Sequence, residues 1–351
     1  MGKILLFTDN HYCENSSIIR QRGKKYSFRL ENQIETLNWI NDIAIKERVD
    51  KIICLGDFFD SSNLNAEEIS ALKEINWCDI PKEFIVGNHE MGSINLEFNS
   101  ANVLSKIGKV IYEPSMTSGY GYELIYLPYI VEHNRKPLKE YINRIREDYW
   151  LNMWTTQECK YTIILSHNDL AGIRFGQYES KNGFNINEIE ESCNLFINGH
   201  LHNQQQISEK ILNLGNVTGQ NFSEDATKYS HCIAILDTET LKVDLINNPH
   251  AIHFYKFDII TEDDFEQFQK CLSNSFISIR ASENLISKVK ETVSKYDNII
   301  ECRVTSIPNL ERVSKQDISE IISKNHIQQF KDSFIESNGI NDIIKEELER
   351  L

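Results

Sequence analysis

Five times within the first 202 residues, a short apolar run stops abruptly on side chains that can bind a cation. The stops are Thr8-Asp9-Asn10-His11, Gly56-Asp57-Phe58-Phe59-Asp60, Gly87-Asn88-His89-Glu90, Ser166-His167-Asn168 and Gly199-His200-Leu201-His202. A run such as Ile52-Ile53-Cys54-Leu55 suits a strand buried on both faces, whereas Leu30, Ile34, Leu37 and Ile40 recur with the period of a helix. The alternation predicts α/β structure, with strands over 3–8, 51–55, 83–86, 124–127, 161–166, 195–198, 210–214, 231–236 and 242–246 and helices over 28–47 and 66–75. The later strands follow one another without helices, so part of the sheet there should be antiparallel. Strand carboxyl ends of such folds meet in one crevice, so clusters nearly two hundred residues apart can share a site.

Taken singly the clusters are weak signals, since Asp-x-His occurs as a helix cap and Gly-Asp as a turn. His200 and His202 are stronger together, because alternate strand residues present both imidazoles to one side. Counted together, Asp9, His11, Asp57, Asn88, His167, His200 and His202 supply enough oxygen and nitrogen donors for two divalent ions, with Asp57 able to give one oxygen to each. A thiolate-free set of this kind suits Mn, Fe, Zn or Mg. Two such ions about 3.5–4 Å apart acidify water and clamp both oxygens of a displacement at phosphorus, which points to phosphoester hydrolysis. His89 is left over from the ligand count and can protonate the leaving oxygen, with Glu90 or the nearby Asp60 orienting its ring. Asp57 and His89 are therefore the expected catalytic pair.

The 351 residues suffice for more than one domain. Residues 1–251 read as the domain carrying the clusters. A renewed strand–helix–strand–helix–strand pattern over 252–306 reads as a small α/β domain, with strands at 255–260, 276–280 and 299–304 and helices at 262–272 and 287–295. Residues 307–351 read as a linker and amphipathic helices, with Ile318, Ile322, Phe330 and Phe334 on their apolar faces. Those faces either pack on the small domain or meet another chain.

With 37 Lys+Arg against 52 Asp+Glu, the formal net charge of −15 argues against a protein that grips nucleic acid by bulk charge. One stretch runs the other way: Arg20, Arg22, Lys24, Lys25 and Arg29 occur with no acidic residue among them. Eight cysteines without a Cys-x-x-Cys pair suit reduced thiols, and no apolar run approaches the roughly 20 residues of a membrane helix. A cytoplasmic, unanchored protein is expected.

At the five clusters the sequence resembles the calcineurin-like metallophosphoesterase superfamily, whose pattern runs D-x-H, GD, GNH[ED], a lone H and GHxH. The resemblance implies a four-layer α/β/β/α sandwich, with a smaller carboxy-terminal α/β capping domain and terminal helices. It implies one ion held by Asp9, His11, Asp57 and His202, a second held by Asp57, Asn88, His167 and His200, and a catalytic His89. Protein Ser/Thr phosphatases extend the second block to GDxxDRG, but here Ser61-Ser62 follow Asp60. Leu127-Pro128-Tyr129-Ile130, the Leu214-Gly215-Asn216 strand end and the carboxy-terminal architecture resemble the SbcD-type nuclease subunit of SbcCD-like recombination and repair complexes, in a compact, phage-type version.

That nuclease family implies a manganese-dependent 3′–5′ double-strand exonuclease and single-strand endonuclease, in the host cytoplasm if phage-encoded. It implies a homodimer formed through helices near 66–75 and 96–107 and bound to two copies of an SbcC-type SMC-like ATPase. The basic stretch from Arg20 to Arg29 would contact the DNA backbone, and the apolar faces beyond residue 317 would dock on the ATPase coiled coil. Asp60 stands where some members carry histidine, leaving the balance of exonuclease and endonuclease action open, and Gln204-Gln205-Gln206 adds no cation beside the last block. Two rivals share the donor set: a small-substrate phosphodiesterase or phosphatase working alone, and a non-catalytic DNA-end scaffold.

Overall fold

The computed structural model describes residues 2–307 apart from residue 120 and residues 153–158, 176–177, 272–273 and 297–298. Ile318, Ile322, Phe330 and Phe334, with the helices expected around them, lie outside the described residues.

Two six-stranded sheets stack face to face. The first runs Val243–Asn247, Cys232–Asp237, β1 (Lys3–Phe7), β2 (Lys51–Cys54), β3 (Lys82–Ile85) and β4 (Lys109–Ile111). Strands β1 to β4 are parallel, and the two late strands join antiparallel, as their helix-free connection requires. The second sheet runs Gln205–Gln206, Ile211–Asn213, Leu195–Asn198, β7 (Tyr161–Ser166), β6 (Tyr122–Leu127) and β5 (Ser115–Gly119). Its four central strands are parallel and both edges antiparallel.

Side-chain alternation divides each strand between two cores. Ile4 and Leu6 of β1 pack with Ile53, Ile85, Leu124, Ile163, Leu165 and Ile197 between the sheets. Leu5 and Phe7 turn the other way, beneath α1 (Phe28–Glu47) and α2 (Ala66–Ala71). On the far side, α3 (Leu138–Asn152) and α4 (Ile186–Ser192) bury Leu138, Ile142, Ile145 and Ile189 against Ile125, Ile164 and Phe196. The result is the four-layer α/β/β/α sandwich.

Ser27 caps α1 by accepting from the Leu30 N–H, and Arg48 ends it in the left-handed region at φ 55°. The helix covers the expected 28–47. Residues 66–75 divide into α2 and a 3-10 turn over Leu72–Glu74, and 96–107 holds only a 3-10 helix over Ser100–Leu104. The segment expected as a helix at 262–272 is a 3-10 helix over Glu262–Lys270. Phe265 and Phe268 sit three residues apart, the period of that tighter coil, and both enter the neighbouring core.

Strands His253–Ile259, Ser275–Ser282 and Ile299–Ile307 form a separate, wholly parallel sheet packed on α5 (Ile286–Val293). Ile19, Ile252, Phe254 and Phe276 form a further apolar cluster, which ties the 15–30 segment to that sheet. Among the described residues, no helix is long and apolar enough to cross a membrane.

Candidate metal centre

Asp9 and His11 follow β1, Asp57 follows β2, Asn88 and His89 follow β3, His167 follows β7, and His200 and His202 follow Leu195–Asn198. Both sheets thus deliver their carboxyl ends to one place. Four of these residues leave their strands in the left-handed region: Asp9 at φ 51°, His11 at 45°, Asp57 at 48° and His200 at 71°. Non-glycine residues rarely adopt this geometry, and here the surroundings enforce it. Gln33 of α1 donates its Nε2 to the carbonyls of Asn10 and His11 at 2.8 Å each and accepts the Cys13 N–H on Oε1. Gly199 is required by close approach, since a Cβ there would lie 2.2 Å from Thr8 Oγ1.

The structure brings all seven candidate ligands together. His11 Nε2 and His202 Nε2 face each other at 3.1 Å, with Asp9 Oδ1 at 3.7 and 3.9 Å from them. Asp57 Oδ2 lies 3.8 Å from His11 Nε2 and 3.0 Å from His167 Nε2, so one oxygen borders both halves. His200 Nδ1 completes the second half, 2.9 Å from Asn88 Oδ1. Asp9, His11 and His202 form one set of converging donors and Asp57, His167 and His200 another, while His89 comes within reach of His11 and Asp57 from the exposed side.

These donors fit divalent cations, by what they leave unsatisfied. Asp9 Oδ1 and His167 Nε2 are buried without a hydrogen-bond partner among the described residues. The 3.0 Å separation of His167 Nε2 from Asp57 Oδ2 lacks hydrogen-bond geometry, as expected where both atoms aim at a third. Each ligand imidazole also spends its other nitrogen on an acceptor. His11 Nδ1 donates to Asp60 Oδ1 at 2.9 Å, His167 Nδ1 to the Leu55 carbonyl at 3.0 Å, His202 Nδ1 to Glu224 Oε1 at 2.7 Å and His200 Nε2 to Asp169 Oδ1 at 3.0 Å. With the N–H fixed there, the opposite lone pair turns to the centre. Asp169 is in turn held by Arg135 at 3.0 Å.

The charges agree. Burial works to raise the Asp9 carboxyl, but the neighbouring imidazoles, His11 first and then His167 and His202, overcome it and bring it down to about 2. Asp57 is likewise held far below the ordinary carboxylate range against its burial, chiefly by His167 and then His11. Burial disfavours charged His11 and His167, yet Asp60, Asp9 and Asp57 raise His11 to about 10, and Asp57 and Asp9 raise His167 to about 9. Without a cation, protons on these rings balance the carboxylates.

His89 is the most exposed imidazole at the centre, its side chain 40% accessible. Its Nδ1 donates to the Asp60 carbonyl at 3.0 Å, and its ring lies edge-on to His11 at 4.5 Å. Asp60 thus braces two imidazoles, one through its carboxylate and one through its backbone. The expectation that Glu90 orients His89 is corrected. Glu90 turns back beneath the loop, accepting the Gly87 N–H at 2.7 Å and the Phe59 N–H at 3.2 Å, because those buried donors have to be satisfied. Burial and the Asp57 charge push its carboxyl up to about 7.

The basic stretch is less cationic than its sequence. Arg22 is exposed but pairs with Glu67 at 2.8 Å, and Lys25 pairs with Glu74 at 2.6 Å. Arg20 and Lys24 are exposed. Arg29 departs from the expected DNA contact. Only 1% of it is accessible, and its guanidinium donates to the His11 carbonyl and Cys13 Sγ at 3.1 Å each, making it an internal brace. Sequence reasoning missed Asp169 and Glu224. Asp169 directly follows the fourth cluster, whereas nothing in the pattern around Glu224 marks it.

Residues 2–204 match the family described as Calcineurin-like phosphoesterase. Two curated proteins, each named DNA double-strand break repair protein Mre11, are similar over part of their length. The one from Sulfurisphaera tokodaii is 26% identical over 210 residues, covering 58% of this chain and 49% of its own. The one from Sulfolobus acidocaldarius is 24% identical over 218 residues, covering 58% and 50%. The chain therefore spans about half the length of the curated relatives it matches. Among solved structures, a dimetal phosphatase from Danio rerio aligns with 16% identity over 67% of this chain and 91% of its own, at a TM-score of 0.38.

Proposed function

The chain belongs to the calcineurin-like phosphoesterase family, and on that premise we propose that it is a metal-dependent DNA nuclease. Its reaction is phosphodiester hydrolysis at DNA ends, as a 3′–5′ double-strand exonuclease and single-strand endonuclease. The observation that carries the reading is the converging seven-ligand donor set with an exposed His89 beside it, in a chain whose matched relatives are named for double-strand break repair.

Two cations, manganese in this reading, supply Lewis acidity toward the phosphoryl oxygens and acidify water. Asp9, His11 and His202 would hold one and Asn88, His167 and His200 the other, with Asp57 placed between the two sets. Asp9 and Asp57 carry the negative charge that draws cations in. Asp60, Asp169, Glu224 and the Leu55 carbonyl keep the ligand imidazoles in one tautomer. His89, with Nδ1–H given to the Asp60 carbonyl, has Nε2 available to pass a proton to the leaving oxygen. Its exposure is compatible with a polymeric phosphodiester approaching from outside.

The acidic balance fits a chain that relies on an SbcC-type SMC-like ATPase for much of its DNA surface, leaving Arg20, Arg22, Lys24 and Lys25 as its own backbone contacts. A homodimer is supported by four exposed apolar side chains, Ile69, Ile94, Phe98 and Val103, on and beside the 66–75 and 96–107 segments. The test is manganese-dependent release of nucleotides from end-labelled linear DNA by the purified chain with its ATPase. The reading requires degradation that disappears in Asp57→Asn. Intact DNA alongside rapid cleavage of aryl phosphodiesters would assign a small-substrate enzyme, and DNA processing that survives Asp57→Asn would assign a scaffold.

A further inference from the structure

Glu224 carries the shortest of the hydrogen bonds that fix the ligand imidazoles, and it is 1% accessible. Its Oε1 accepts from His202 Nδ1 at 2.7 Å and from Asn221 Nδ2 at 3.2 Å. Its Oε2 accepts from Asn216 Nδ2 at 2.8 Å and from the Gln220 N–H at 2.7 Å. All four partners are donors, so only an ionised carboxylate satisfies them together. The network continues outward. Asn216 Oδ1 lies 2.8 Å from His231 Nδ1, and the His231 ring is 5.5 Å from that of His253, which opens the first strand of the carboxy-terminal sheet. The backbone makes the same connection, since the Gly219 N–H donates to the Ile252 carbonyl at 2.9 Å and the Ala226 N–H to that of Phe254 at 2.8 Å.

We propose that Glu224 is the positioning residue for His202, and that the 216–226 segment carrying it links cation binding at the Asp9, His11 and His202 half to the seating of the carboxy-terminal sheet. The second half has its own brace in Asp169 and Arg135, so the two ions are held by separate supports. Binding that orders His202 orders Glu224 and its segment, and by reciprocity whatever displaces the first carboxy-terminal strand weakens the ion on that half alone. The inference rests on the two-cation reading but not on the nature of the substrate.

Titration of the full chain with manganese chloride by calorimetry tests it, using Glu224→Gln, which keeps the shape but turns an amide N–H toward groups that are themselves donors. The expected result is one of two ions bound ten- to a hundredfold more weakly and the other unchanged. Two ions bound as in the unaltered chain would overturn the positioning role, as would equal weakening of both. Fewer than two ions in the unaltered chain would overturn the two-cation reading and this inference with it. Hydrogen exchange of the unaltered chain decides the link, even if the variant does not fold. Added manganese should slow exchange over 216–231 and 253–259, whereas protection confined to the strand-end ligands would overturn it.

Discussion

Each candidate ligand imidazole has one nitrogen free to face a cation because the other is held by Asp60, Leu55, Asp169 or Glu224. His89 differs, held through the Asp60 carbonyl and standing outside the ligand count. His89→Ala should keep both manganese ions in a calorimetric titration yet lose about 10²- to 10⁴-fold in turnover. Loss of an ion would make it a ligand, and undiminished turnover would make it structural. Protons and cations compete here, since His11 titrates at about 10 and His167 at about 9 without metal. Manganese affinity should therefore rise with pH between 6 and 9 with proton release, seen as a dependence of binding heat on the buffer's ionisation enthalpy. In the metal-free chain, the raised His11 contributes stability fully present below its ordinary value of 6.5 and lost as pH rises through about 10. The depressed Asp9 contributes stability present above 3.8 and lost as pH falls through about 2. The convergence of the candidate donors could be read from sequence because each follows a recognisable strand. Their braces could not: Glu224 is 22 residues beyond His202, on a loop whose path only the folded chain defines, and Glu90 reads as a partner of His89 until the loop's own N–H groups are counted.

The strands that carry the ligands depend on the apolar layer between the two sheets. Leu6 is fully buried in that layer, between ligand-bearing strands, and Leu6→Ala should cost about 2–5 kcal/mol in urea unfolding of the metal-free chain. A cost below 1 kcal/mol would mean that the layer is not packed as described. At the start of the carboxy-terminal sheet, burial and then the charge of His231 push His253 down to about 3. Below the unfolded value near 6.5, the unfolded chain takes up a proton that the folded chain refuses, so stability should fall from about pH 6.5 toward 3. His253→Phe should flatten that fall in denaturant midpoints measured between pH 7 and 5. The parallel strands of both sheets other than β4 were legible because burial on two faces leaves unbroken apolar runs. The 3-10 segments were not, since Phe265 and Phe268 suit either a three-residue or a 3.6-residue period over so short a stretch. The helix α3 and the edge strands β4 and β5 also went unread, the strands because edge residues such as Ser115, Thr117 and Ser118 carry little apolar pattern.

Across the whole molecule, a sandwich that gathers donors from both sheets is joined to a small parallel sheet through Ile19, Ile252, Phe254 and Phe276. The net charge of −15 makes strong DNA binding by the chain alone an unexpected result, and on the proposed reading salt-sensitive binding should appear once the proposed ATPase partner is added. The proposed dimer should show in sedimentation as a species of twice the chain mass that Phe98→Glu converts to monomer, and an unaltered chain that stays monomeric at high concentration would remove it. Anomalous diffraction from crystals grown with manganese tests the centre itself most directly. Two peaks about 3.5–4 Å apart are expected on either side of Asp57 Oδ2, one against His11 and His202 and the other against His167 and His200. No peak there, or a single ion away from Asp57, would contradict the two-cation centre.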